Sequence, residues 1–128
     1  REEDTVIMPS SNDPLVITHG AVVRSNAGAS ANAMGKKLLS SVVMGHVHRM
    51  GMSVIRVPAR GDRQETVYRC YELGCLADLM PSYAKNPDWQ NGFGVLIRDE
   101  NSQSWGLEPV TIVNGKATIA ALGGTVCA

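Results

Sequence analysis

Apolar and polar positions alternate in short runs along this chain, and two of the runs end in histidine. Leu15-Val16-Ile17-Thr18 follows the turn-forming stretch Ser10-Ser11-Asn12-Asp13-Pro14 and leads into His19-Gly20. Ser41-Val42-Val43-Met44 leads into Gly45-His46-Val47-His48-Arg49. Short apolar runs bounded by turn residues predict buried strands, and a glycine at the end lets the chain turn sharply. Between them, the alanines from Ala29 with Met34, Leu38 and Leu39 place apolar side chains at helical intervals. A helix over Ala29–Leu39 is predicted, with Ser30 as N-cap. Strand, helix, strand in about thirty residues predicts a parallel βαβ unit with a right-handed crossover.

The rest of the pattern is strand-like. Thr5-Val6-Ile7-Met8, stopped by Pro9, predicts a short strand after a charged, frayed Arg1–Asp4. Met52–Pro58 and Glu65–Glu72 read as strands around the polar turn Ala59-Arg60-Gly61-Asp62-Arg63. Gly74–Ala84 is mixed, with Pro81 limiting any helix, and 86–92 reads as a loop. Phe93–Arg98 is rich in β-formers. Val110–Val113, Asn114-Gly115 and Lys116–Ala120 form the clearest hairpin, because Asn-Gly is the type I′ turn signature. Leu122–Ala128 reads as a tail of small residues. No repeat or low-complexity segment appears.

Length sets the scale: 128 residues make one domain, or half of one, over 1–128. Twelve basic and twelve acidic residues cancel, so no global charge favours nucleic acid or an acidic membrane. Aromatics at 5% argue against stacking platforms for single strands. Cys70, Cys75 and Cys127 contain no C-x-x-C pair and read as reduced thiols in a cytoplasmic setting. No stretch is apolar for long enough to span a bilayer. Gly35-Lys36-Lys37 after a glycine loop is a decoy for a phosphate-binding loop: six residues separate Gly28 from Gly35, and no hydroxyl follows Lys36.

The chain has three histidines, and all three fall at the two strand ends. Neutral imidazole is a common ligand for zinc, manganese, iron and nickel. Alternate residues of a regular strand point to opposite faces, so His46 and His48 reach one cleft, or two neighbouring ions, only from a tight turn after Gly45. The bland alternative is three hydrogen-bonded loop histidines.

Thr18-His19-Gly20 followed by Gly45-His46-Val47-His48-Arg49 resembles the carboxyl-terminal half of a calcineurin-like metallophosphoesterase. Gly28-Ala29-Ser30-Ala31, Tyr71-Glu72-Leu73-Gly74-Cys75-Leu76 and Trp89-Gln90-Asn91-Gly92-Phe93 extend the likeness to the phage and bacterial branch. It runs from about residue 15 to 96, and more weakly through the final hairpin. The resemblance implies the second half of a β-sandwich flanked by helices, an α/β (α+β) chain. It implies two divalent metal ions, with His19 and His46 on one and His48 on the other, and hydrolysis of a phosphodiester or nucleotide. Arg24 and Arg49, beside these histidines, could hold phosphate; each also reads as a surface arginine.

The aspartate-x-histidine, bridging glycine-aspartate and glycine-asparagine-histidine of that family are absent, and Gly61-Asp62 lies in a polar turn after the histidines. The remaining ligands must then come from an amino-terminal half or a partner chain. The chain fits a split subunit, a piece of a longer polypeptide, or a relic kept as a non-catalytic assembly subunit. A site for one metal, held by the three histidines alone, is a further reading. Half a sandwich would expose an apolar face and favour a partner or self-association. Among the remaining features, Cys75 could be a redox thiol or a structural one. Trp89 and Trp105 could stack on a base or simply pack. Asp78, Asp88 and Asp99 read as solvated carboxylates, and Met50 and Met52 as core.

Overall fold

A computed structural model describes residues 6–8, 13–83, 85 and 87–127. The expectations for 1–5 and for Pro9 through Asn12 lie outside them. Two sheets and one helix make an α+β fold. The first sheet has five strands in the order β1-β2-β3-β5-β4: β1 is Val6–Met8, β2 Leu15–Thr18, β3 Ser41–Met44, β4 Gly51–Val57 and β5 Thr66–Glu72. The second is β6-β7-β8-β9: β6 Gly92–Asp99, β7 Ser104–Val113, β8 Lys116–Ile119 and β9 Gly124–Cys127.

The central strands β2, β3 and β5 are parallel, and β1 and β4 flank them in antiparallel pairing. Helix α1 (Ala29–Leu38) connects β2 to β3, as the pattern predicts. Period-two alternation sends the side chains of the central strands to two cores. On one face Val16, Val42, Met44 and Cys70 pack with Ala31 and Met34 of α1. On the other, Leu15, Val43 and Tyr71 pack with Trp105, and Leu96 and Leu107 join them from the second sheet. The layers are therefore helix, sheet, sheet. Continuous apolar runs in β2 and β3 follow from burial on both faces.

Polar groups tie the sheets together. The Arg69 guanidinium lies 3.5 Å from the centre of the Trp105 ring and pairs with Asp13 at 2.5 Å, while the Trp105 indole donates to the Asp13 carbonyl at 2.8 Å. A third cluster, Val110, Ala117 and Ile119 with Phe93, Val95 and Ile112, is built within the second sheet.

Three expectations are corrected. Ser30 is not the N-cap of α1; Gly28 is, in the left-handed region at φ +82°. A Cβ there would lie 2.8 Å from the Met52 carbonyl oxygen, so both conformation and space demand glycine. The small-residue tail contains a strand, β9, which completes the second sheet on β8. β7 begins at Ser104, six residues before the hairpin run, because Trp105 and Leu107 bury against the first sheet. The Asn114-Gly115 turn has positive φ at both residues, 50° and 72°, as a type I′ hairpin requires.

Candidate functional site at the histidine turn

The parallel register aligns Thr18 with Met44, so β2 and β3 end side by side. His19 and Gly45-His46 therefore leave the sheet together, at the carboxyl edge where open parallel sheets place ligands. The His46 amide donates to the His19 carbonyl at 3.0 Å, continuing the ladder beyond the strands. The two imidazoles meet as well: His46 Nδ1 lies 2.9 Å from His19 Nε2, with the rings at 74°.

His48 goes elsewhere. Its amide donates to the Gly45 carbonyl at 3.2 Å, closing a tight turn, and its own backbone is left-handed at φ +57°. That conformation costs an ordinary side chain free energy and marks a place the surroundings hold by force. The His48 ring stands edge-on to Trp89, centroids 4.4 Å apart. The structure thus pairs His19 with His46 and sets His48 apart from them. Among the described residues, no three His, Cys, Asp or Glu side chains converge as a metal site. The reading of one ion held by all three histidines is not what this geometry presents.

The turn is bracketed by the loop before β6. The Gln90 amide donates to the His48 carbonyl at 2.8 Å, and the Gln90 side-chain oxygen accepts the Met50 amide at 2.7 Å. Asn91 Nδ2 donates to the carbonyls of Cys75 and Ala77, holding the segment after β5. A Cβ on Gly74 would overlap the Gln90 carbonyl oxygen, so the two segments meet backbone to backbone.

Arg49 is buried, not a surface arginine. Its guanidinium donates to the carbonyls of Ser25 and Arg24 and to Asp88 Oδ2 at 3.0 Å, while its Nε is buried without a partner among the described residues. These bonds commit its two terminal nitrogens to the 24–25 loop and to Asp88. Arg24 remains exposed at the side chain, and its amide is fixed by the Ser30 hydroxyl at 2.8 Å.

One side chain that matters here has no obvious mark in the sequence. Glu72 ends β5 and is 0% exposed. Its carboxylate accepts the amides of Gly28 at 2.9 Å, Ser30 at 2.8 Å and Ala31 at 3.1 Å. It serves the first turn of α1 as an anion serves a helix N-terminus.

Comparison with known proteins gives one relationship of note. The chain is 31% identical over 112 residues to the Gene 54 protein of Mycobacterium phage D29, an alignment covering 81% of this chain and 42% of that protein. The chain thus spans less than half the length of that relative. No family model matches the sequence, and no solved structure matches it.

Proposed function

We propose that this chain is the carboxyl-terminal part of a metal-dependent phosphoesterase, acting on a phosphodiester or nucleotide in the cytoplasm. An amino-terminal half or a partner chain would bring the remaining ligands. The observation that carries the reading is the pair of imidazole nitrogens 2.9 Å apart at the ends of adjacent parallel strands. Two nitrogens at the usual ~2.1 Å from one ion, at right angles, stand about 3.0 Å apart. A shared proton would also account for the contact, and the metal titration below separates the two.

The residues fit a divided centre. His19 and His46 would hold one ion, and His48, which packs against Trp89, would contribute to the other. All three are neutral ligands, so carboxylates from outside must offset the charge of two divalent ions. Such ions supply positive charge to phosphoryl oxygens and acidify water. This chain's own part is to fix the imidazoles: the turn after Gly45 and the Gln90 bracket do so. A relative from a phage agrees with the phage branch of the resemblance.

The test is manganese titration of the 128-residue chain, followed by broadening of histidine ring resonances, together with manganese-dependent hydrolysis of a chromogenic phosphodiester when the aspartate-bearing half is supplied. Broadening of His19 and His46, lost together in His46→Ala, is expected. No broadening at millimolar manganese, together with no hydrolysis when the aspartate-bearing half is supplied, would overturn the reading.

A second reading, a non-catalytic assembly subunit, is favoured by one observation. Met52, Val54 and Val67 are 51, 53 and 41% exposed on neighbouring strands at one edge of the first sheet. A partner or a second copy would cover them. On that reading His46→Ala leaves association and function unchanged.

A further inference from the structure

Three rings lead away from the histidine turn. His48 stands against Trp89 at 4.4 Å, and Trp89 against Tyr83 at 6.0 Å. The first is half-buried, the second half-buried, and the last 80% exposed. Core aromatics do the opposite: Tyr71 and Trp105 meet inside the sandwich, 4 and 7% exposed.

Trp89 is held in place by both chain neighbours. Asp88 pairs with the buried Arg49, and Gln90 makes the bonds to His48 and Met50 described above. The indole is therefore fixed relative to the histidine turn, while Tyr83 offers an open ring face beside it. Lys85, two residues from Tyr83 in the chain, is an exposed cation, and the charge of Asp88 is matched by Arg49.

We infer that Tyr83 and Trp89 form a stacking subsite for an unpaired nucleobase whose phosphodiester is taken at the histidine turn. The inference rests on the phosphoesterase reading and deepens it to a substrate class. The reach agrees: the two centroid steps put Tyr83 within roughly 10 Å of His48, about the span from a phosphate to a base one nucleotide away. Base–aromatic stacking tolerates any base, so the subsite selects nucleic-acid chemistry rather than sequence.

The test is binding of a single-stranded adenine tetranucleotide to the 128-residue chain, read by tryptophan fluorescence, against a tetranucleotide of the same backbone lacking bases. The base-bearing strand is expected to bind at least ~10-fold tighter, and Tyr83→Ala to abolish the difference while Tyr83→Phe keeps it. Adenosine 3′,5′-cyclic monophosphate serves as a second probe; its binding, dependent on Tyr83, would identify free nucleotides rather than strands as the source of the base. Equal affinity for the two strands, or an unchanged preference in Tyr83→Ala, overturns the subsite. So does a Tyr83→Ala variant that alters association of the chain with a protein and not its binding of bases. The manganese titration reports on the phosphoesterase reading separately: a chain that binds manganese through His19 and His46 but shows no base preference loses the subsite alone.

Discussion

Replacing Glu72 by glutamine tests how this fold holds the loop beside its candidate site. The carboxylate is 0% exposed and accepts three backbone amides, two on one oxygen and one on the other. Glutamine preserves size but offers one oxygen and one NH₂ group. If its oxygen faces Ser30 and Ala31, its NH₂ faces the Gly28 amide, donor against donor. Leaving one buried donor unpaired costs about 1–3 kcal/mol. The bonds that remain lose their ionic partner, and the helix N-terminus loses a compensating charge, adding about 1 kcal/mol. A total of about 2–4 kcal/mol is expected, a large share of the ~5–15 kcal/mol that holds a domain together. Urea denaturation measures it, as a lower midpoint at unchanged slope. Amide hydrogen exchange locates it, because Ser30 and Ala31 should lose protection before β3 does. A variant within about 0.5 kcal/mol of wild type, with these amides still protected, would refute the capping role.

Other expectations follow from single positions. Leu39 closes α1 in the left-handed region at φ 52° and is 69% exposed, so Leu39→Gly should stabilise the chain by about 0.5–1 kcal/mol, seen as a higher urea midpoint. His48→Gly removes the ring and relieves a left-handed backbone, so thermal unfolding should show stability unchanged or raised while any second-ion function is lost. Arg49→Met strips donors from the Ser25 and Arg24 carbonyls and leaves Asp88 unpaired; a loss of about 2–4 kcal/mol is expected by denaturation, with faster proteolysis in the 21–27 loop. Burial pushes the Cys70 thiol up from 9.0 to about 11. Above pH 9 the unfolded chain therefore loses that proton while the folded one keeps it, and stability should fall from pH 9 to 11. In Cys70→Ala that part of the decline should vanish from a pH series of urea midpoints.

The legible parts of the chain are those where one local pattern meets one local demand. β2 and β3 were read to the residue because burial on both faces leaves an uninterrupted apolar run. The hairpin at Asn114-Gly115 was legible because its turn needs two positive φ angles. The first residue of α1, Ala29, was legible as well, but its cap was not, since Ser30 looks like one. Its true partner, Glu72, lies 42 residues along the chain, and no local rule reports a contact at that distance. β9 was missed for a related reason: Gly124 through Cys127 has no periodicity, and it becomes a strand because β8 presents an edge. At the site, the meeting of His19 and His46 followed from two parallel strands ending together. The departure of His48 did not, because a left-handed residue two positions beyond a glycine is set by what brackets the turn.

The segments around the histidine turn carry no evident chemistry of their own, and the bracket gives them a structural part. Glu72 fixes the start of α1, Gly74 lets the segment after β5 reach Gln90, Asn91 holds that segment, and Gln90 clasps the backbone of His48 and Met50. Each tolerates few substitutes, because each acts on backbone groups at contact distance. If the histidines are there to ligate, these residues set where the imidazoles stand, and errors of an ångström matter in such a centre. Gly74→Ala isolates this effect. The added methyl must push Gln90 away, so the histidine turn should shift without any ligand being touched. Manganese broadening of the His46 ring should then weaken by about 10-fold in concentration while urea stability falls by about 1–3 kcal/mol. Broadening unchanged in a destabilised Gly74→Ala would mean that the bracket serves the fold alone and the histidines set their own geometry.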